Sequence, residues 1–248
     1  MVPSATFHFY QLEVDSSGLL ARWGSLYEMF QHSFDNDARI QTNSWGSSSG
    51  LGDYTADSRS VDDFTFDNPL FLALFSSGDH GNSGISPPST SKNALSIGSS
   101  NTGSFDSIVA GNSSSFSSMG PTSDGRIKPD LIAPGVMICS ARAEEAEFAS
   151  GQDCSDSSHD GSNVPLYMTL NGSSMATPVV AGAAAMVRQF LREELAIANP
   201  RSDLIRAILV NGAEDLGTPN VPNPSEGWGQ LNLSSSLYPR SGDQNLSL

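Results

Sequence analysis

The run PLFLALFSSGD, Pro69 to Asp79, does most to limit what this chain can fold into. Leu70 to Phe75 are all apolar and leave no position for a wet face. A strand with one solvated face alternates. An unbroken run of this length, closed by Ser, Gly and Asp, reads as a strand covered on both sides. That is the habit of parallel sheets, whose crossover helices pack on both faces. ARIQTN (Ala38 to Asn43), NALSIGSS (Asn93 to Ser100) and LYMTL (Leu166 to Leu170) read as further strands, and Thr6 to Val14 as another. From Leu19 the apolar residues Leu19, Leu20, Trp23, Leu26, Tyr27 and Phe30 recur at spacings of three and four, which predicts an amphipathic helix. Ser174 to about Leu195 reads as a long helix. Ser202 to Asn211 reads as a shorter one, with Ser202 as N-cap and Asp203 in its first turn. Asp53 to Asp67 and Glu144 to Asn163 read as polar, acidic connections. Strands alternating with helices give an α/β fold with a mainly parallel central sheet. There is no internal repeat or linker, so residues 1–239 form one unit and 240–248 a polar tail.

A chain of 248 residues buries roughly 70–75% of its unfolded surface and needs no disulfide scaffold. The two cysteines, Cys139 and Cys154, are spaced for a loop-closing disulfide or stand as unrelated thiols; pairing implies an oxidising compartment. The net charge of −15, with only Lys92 and Lys128 as lysines, argues against nucleic acid and anionic membranes as partners. No signal peptide or transmembrane run is visible.

Chemistry enters with LNGSSMATPVVAGAAAMV, Leu170 to Val187. A strand ends at Gly172, and Ser173 and Ser174 open a helix of small residues. A serine there meets backbone N–H groups and the positive helix end, which favour developing negative charge. The same serine also suits plain helix capping. Read by themselves, these residues leave nucleophile and cap both open.

The longer segment resembles the nucleophile block of the subtilisin-like serine proteases, G-T-S-M-A-x-P-x-V-A-G, with Ser173 in place of Thr. Other blocks resemble that family in the same order: IQTNSWGSS, LFSSGDHGNSG with SPPSTSKNALSIGSS, FSSMGPTSDGRIKPDLIAPG, and SDLIRAILVNGAED with GWGQLNL. SWGS, PPSTSKN and SDGRIKPD together resemble its large bacterial alkaline-protease branch. The resemblance implies a three-layer subtilisin-like fold and a serine endopeptidase with peptide or protein substrates. It implies Ser174 as nucleophile, presented by Gly172 and Ser173. Ser44, Trp45 and Gly46 match the segment that pairs with the substrate backbone. Ser76, Ser77 and Gly78 match the opposite wall of the specificity pocket. A cis Pro87–Pro88 bond is also implied. Trp45 suits core packing as well as cleft lining.

The sequence departs from that pattern twice. Asp79 stands where the family has an Asn that donates to the oxyanion. An ionised carboxylate has no donor, and losing one such donor costs on the order of 10²–10³ in turnover. A protonated Asp79 would donate, which makes activity favour acidic pH. Second, neither the D-T/S-G block nor the H-G-T-H block of the triad occurs in these 248 residues, so the fold is expected to be N-terminally truncated. His8 reads as a packing or surface residue, His32 as a C-terminal residue of the first helix, and His159 as part of the acidic loop. His80 lies in the oxyanion loop, on the wrong wall to serve as the base. The expectation is a subtilisin-like peptidase inactive in this form and secreted within its full-length precursor. The competing reading is a non-catalytic peptide-binding module. No cofactor is required, although the acidic segments Asp53–Asp63 and Asp153–Asp160 have oxygens suited to structural calcium. An uncovered sheet edge invites self-association.

Overall fold

The fold is known from a computed structural model, which describes residues 2, 4–10, 12–14, 20–21, 24–102, 112–143, 154, 166–217 and 220–238. Four strands form one parallel sheet: β3 (Ile40–Asn43), β4 (Leu72–Ser76), β5 (Leu95–Ser100) and β6 (Leu131–Pro134), neighbours in that order. Two short antiparallel pairs flank it. They are β1 (Glu13–Val14) with β2 (Leu20–Ala21), and β7 (Ile138–Ala141) with β8 (Tyr167–Leu170).

The Leu70–Phe75 run behaves as its composition requires. Leu72 and Leu74 face one apolar cluster, while Phe71, Ala73 and Phe75 face a second. The first cluster lies under α3 (Ser173–Glu193) and α4 (Ser202–Asn211), with Leu233 and Leu237 of α5 (Leu233–Leu237) at its margin. The second lies under α1 (Leu26–Asp35) and α2 (Ala56–Asp67), where Phe30, Phe64 and Phe71 pack edge to face or tilted at 5.1–5.5 Å. Helices on both faces of a parallel sheet make the three layers. Each buried phenylalanine contributes roughly 1.5–3 kcal/mol.

Four expectations on elements are corrected. The first helix starts at Leu26 rather than Leu19, and Leu20–Ala21 pair as β2. Its start is set by a capping box: Ser25 Oγ accepts from Glu28 N, and the Glu28 carboxylate accepts from Ser25 N. Gly24, at φ +67°, turns the chain into that box. Thr6 to Tyr10 form no strand, and of the expected Thr6–Val14 strand only Glu13–Val14 pair. Asp53 to Asp67 hide a helix, α2, opened by the Thr55–Ser58 box. Ser202 is the first residue of α4 rather than its cap, because its hydroxyl donates to Pro69 O. The acidic loop expected over Glu144–Asn163 falls, apart from residue 154, outside the described residues, as does the tail at 240–248.

Candidate active site

The site is built at the carboxyl ends of the parallel strands, where β8 delivers the chain into α3. Asn171 follows β8, and its Oδ1 accepts from Met137 N at 2.6 Å. Gly172 donates its N–H to Gly135 O at 2.8 Å and takes φ +153°, a conformation L-residues rarely adopt. It supplies no side-chain cap to α3. The cap comes from elsewhere: Asp79 Oδ1 accepts the N–H of Ser173 at 2.8 Å. A Cβ on Gly172 would stand 3.1 Å from Asp79 Oδ2, so the glycine leaves room for that carboxylate. Asp79, just beyond β4, therefore serves as an acceptor at the N-terminus of the serine-bearing helix, where the helix field favours negative charge.

Ser174 is half-buried, second residue of α3. Its Oγ donates to Ser44 O at 3.2 Å, and Ser44 Oγ donates back to Ser174 O at 2.8 Å. Ser173 points inward; it is fully buried, and its Oγ has no partner among the described residues. The two segments expected as walls stand at the ends of neighbouring strands, β3 and β4. Ser44–Gly46 follow β3 directly, and Trp45 stacks edge-on to Phe75 at 5.5 Å, which anchors that wall in the core. Ser76 and Ser77 are buried and Gly78 half-buried at the end of β4. Residues 86–87 join the two walls. Ser86 N donates to Ser77 O, and Ser47 N donates to Pro87 O, both at 2.8 Å. The Pro87–Pro88 bond is cis.

No histidine among the described residues hydrogen-bonds Ser174. His8 and His80 are exposed, and the backbone N–H of His80 is held by Ser118 Oγ. His32 sits in the last turn of α1 with its ring edge-on to Tyr10. His159 lies outside the described residues. No group of three or more His, Cys, Asp or Glu side chains converges among the described residues. Two carboxylates of the Asp53–Asp63 segment have protein donors. Asp53 accepts from Ser123 Oγ, and Asp62 accepts from Lys92 N, Asn93 N and the Tyr54 hydroxyl. Burial and that Asp62 bond raise the Tyr54 phenol to about 12. The second acidic segment, except residue 154, is outside the described residues. Cys139 on β7 and Cys154 form a disulfide, which rests beside Thr169 of β8, just upstream of the site. No helix among the described residues is long and apolar enough to cross a membrane.

Sequence reasoning marked Ser44 for its backbone and missed its hydroxyl. The available signal was Pro178, four residues after Ser174, since a proline there leaves the Ser174 carbonyl without a helical donor. The bridge through Ser86 and Pro87 had no local signal, because it depends on two loops meeting in space.

Comparison with known proteins adds the following. The model of the Subtilase family, Peptidase_S8, matches residues 1–229. Serine protease AprX of Bacillus subtilis (strain 168) is 38% identical over 169 residues, covering 63% of this chain and 34% of that protein. Serine protease/ABC transporter B family protein tagD of Dictyostelium discoideum is 28% identical over 314 residues, covering 85% of this chain. The chain spans only 17% of tagD, and 18% and 16% of its relatives tagA and tagB. Among solved structures, a lanthipeptide protease aligns with TM-score 0.66 at 21% identity, covering 90% of this chain and 67% of its own. Fervidolysin from Fervidobacterium pennivorans, described as a keratinolytic enzyme related to subtilisin, aligns with TM-score 0.63 at 23% identity over 85% of this chain and 28% of its own. At such identities these structural likenesses speak to the fold.

Proposed function

The chain belongs to the subtilase family, and from that premise we propose that it is the nucleophile-bearing part of a serine endopeptidase, with Ser174 as the attacking group. The observation that carries this reading is the placement of Ser174. It stands at the N-terminus of a 21-residue helix, its hydroxyl held at the end of the strand that would bind a peptide backbone. Attack by Ser174 Oγ on a peptide carbonyl would give an acyl-enzyme, which water then releases. Peptide would enter as an added strand along Ser44–Gly46, with its side chain between that wall and Ser76–Gly78.

Such attack needs a base. Ser174 Oγ–H is bonded to a carbonyl, which accepts the hydrogen bond and takes no proton. We therefore infer that this polypeptide alone is inactive, and that an Asp and a His come from residues outside these 248. Loss of the general base of such a triad costs on the order of 10⁶-fold in turnover. Asp79 adds a second handicap. Its Oδ1 is engaged in accepting the Ser173 N–H, whereas an amide in its place would have a hydrogen to offer an oxyanion. We assign the whole protein to an oxidising, extracellular setting, supported by the Cys139–Cys154 disulfide and the strong negative charge. No cofactor is needed for the chemistry, and peptide or protein substrate is the partner.

The acceptor role of Asp79 and the carbonyl-bound Ser174 also favour a second reading, a peptide-binding module without chemistry. One experiment separates the two. The chain is joined in cis or mixed in trans with a subtilase segment carrying the Asp and His blocks, and casein hydrolysis is followed. The peptidase reading expects hydrolysis that Ser174→Ala abolishes and Asp79→Asn raises by about 10²–10³ at neutral pH. Peptide binding without any Ser174-dependent hydrolysis overturns it in favour of the module.

A further inference from the structure

Ser44 and Ser174 lie 130 residues apart and exchange two hydrogen bonds. One of them has a cause in the sequence of α3. Pro178 lies inside that helix and has no N–H to give. The carbonyl four residues earlier, that of Ser174 itself, therefore loses its helical donor, and the proline ring crowds it outward. That carbonyl is left to find another donor, from water or from a neighbouring side chain. Here the donor is Ser44 Oγ, at 2.8 Å. The neighbouring turn keeps its own bonds, with Thr177 Oγ1 donating to Ser173 O at 2.7 Å.

We propose that Ser44 is a positioning residue for Ser174: its hydroxyl stands in for the amide that Pro178 lacks, while its carbonyl holds the Ser174 hydroxyl in a fixed resting place. The pair makes a clasp between the end of β3 and the start of α3. The strand end that would receive a peptide and the residue that would attack it then move as one body. Pro178 opens the helix at one carbonyl, and the Ser44 hydroxyl on the facing wall closes it. The proposal rests on Ser174 as nucleophile for its catalytic consequence alone; the clasp is tested without activity.

The test is a double-mutant cycle on the 248-residue chain, read by urea unfolding and by the ¹³C resonance of the Ser174 carbonyl. Ser44→Ala should raise the unfolding constant about five- to tenfold, the scale of one hydrogen bond. It should also shift the Ser174 carbonyl resonance. Ser44→Thr keeps a hydroxyl and should restore both. In the Pro178→Ala background an amide N–H returns to the helix, so Ser44→Ala should change the unfolding constant less than about twofold. If Ser44→Ala is too unstable to fold, the double variant should fold where the single one does not. Equal effects of Ser44→Ala in both backgrounds, a Ser174 carbonyl that does not respond, or a double variant that unfolds like the single one each overturn the clasp. Failure of the peptidase reading shows separately, as absence of Ser174-dependent hydrolysis in the complemented protein with the clasp intact.

Discussion

Asp79 shows how a single substitution changes what a residue does while keeping its place. The family pattern puts an amide donor there; this chain puts an acceptor, and the acceptor has taken the Ser173 N–H that Gly172 leaves uncapped. Asp79→Ala should therefore lower stability by about 0.5–2 kcal/mol, the usual cost of a lost helix cap, whereas Asp79→Asn retains an acceptor and most of that stability. Thermal unfolding of both variants checks this, and equal melting of Asp79→Ala and the parent would contradict it. Gly172→Ala tests the same geometry from the other side. It forces an L-residue to φ +153° and brings a Cβ to 3.1 Å from Asp79 Oδ2, for an expected loss of about 1–3 kcal/mol in denaturant unfolding. At this scale the sequence was informative about identity and silent about partners. Ser174 and Asp79 could be singled out because their residue types stand in a recognisable order, and the fold brings the two together at the start of α3. That Asp79 caps a helix 94 residues away was not legible, since no local pattern records a bond formed by the fold.

At the scale of elements, β4 was legible because six apolar residues in a row have one comfortable place, the middle of a covered sheet. Helix α2 was not, because its many Asp and Ser residues obscure the few that pack inward, Val61 and Phe64. The strand–turn–helix joint is held by ions as well as by apolar packing. Asp130, just before β6, accepts from buried Lys128 at 2.6 Å, from Arg206 of α4 at 2.8 Å and from Ser96 N of β5 at 2.7 Å. Burial pushes the Asp130 carboxyl up, but Lys128 and Arg206 outweigh it and hold it below the ordinary carboxylate range. Burial pushes the Lys128 ammonium down; Asp130 opposes that and Arg206 adds to it. A carboxylate depressed in the folded state contributes stability that is fully present above its unfolded pKa, about 3.9, and is lost as pH falls through the lower folded value. Urea midpoints measured from pH 6 down to pH 2 should show that loss in the parent. Lys128→Met, which strips a partner from a buried charge, should cost about 3–5 kcal/mol at neutral pH. A change under 1 kcal/mol would contradict the account. The disulfide closes a loop of 15 residues against β8, so replacing both cysteines by serine should remove about 3 kcal/mol.

At the scale of the molecule, β3 is an edge strand of the parallel sheet among the described residues. Among the described residues β3 pairs with β4 alone, and its other side offers unpaired backbone groups. Phe7 and Phe9 are exposed and stack on one another at 6.3 Å. An edge of this kind recruits another strand. Sedimentation at rising concentration should show self-association that Thr42→Lys, at the exposed position of β3, reduces; concentration-independent monomers would contradict that reading. The proposal that most needs a test is Ser174 as a nucleophile whose hydroxyl, among the described residues, meets a carbonyl and no histidine. Mass spectrometry of Ser174 after exposure to a fluorophosphonate tests it most directly. The 248-residue chain alone should stay unmodified at Ser174, and the chain complemented with the Asp and His blocks should carry one phosphonyl group there. Rapid modification of Ser174 in the uncomplemented chain would show that a base lies within these residues and would contradict the account.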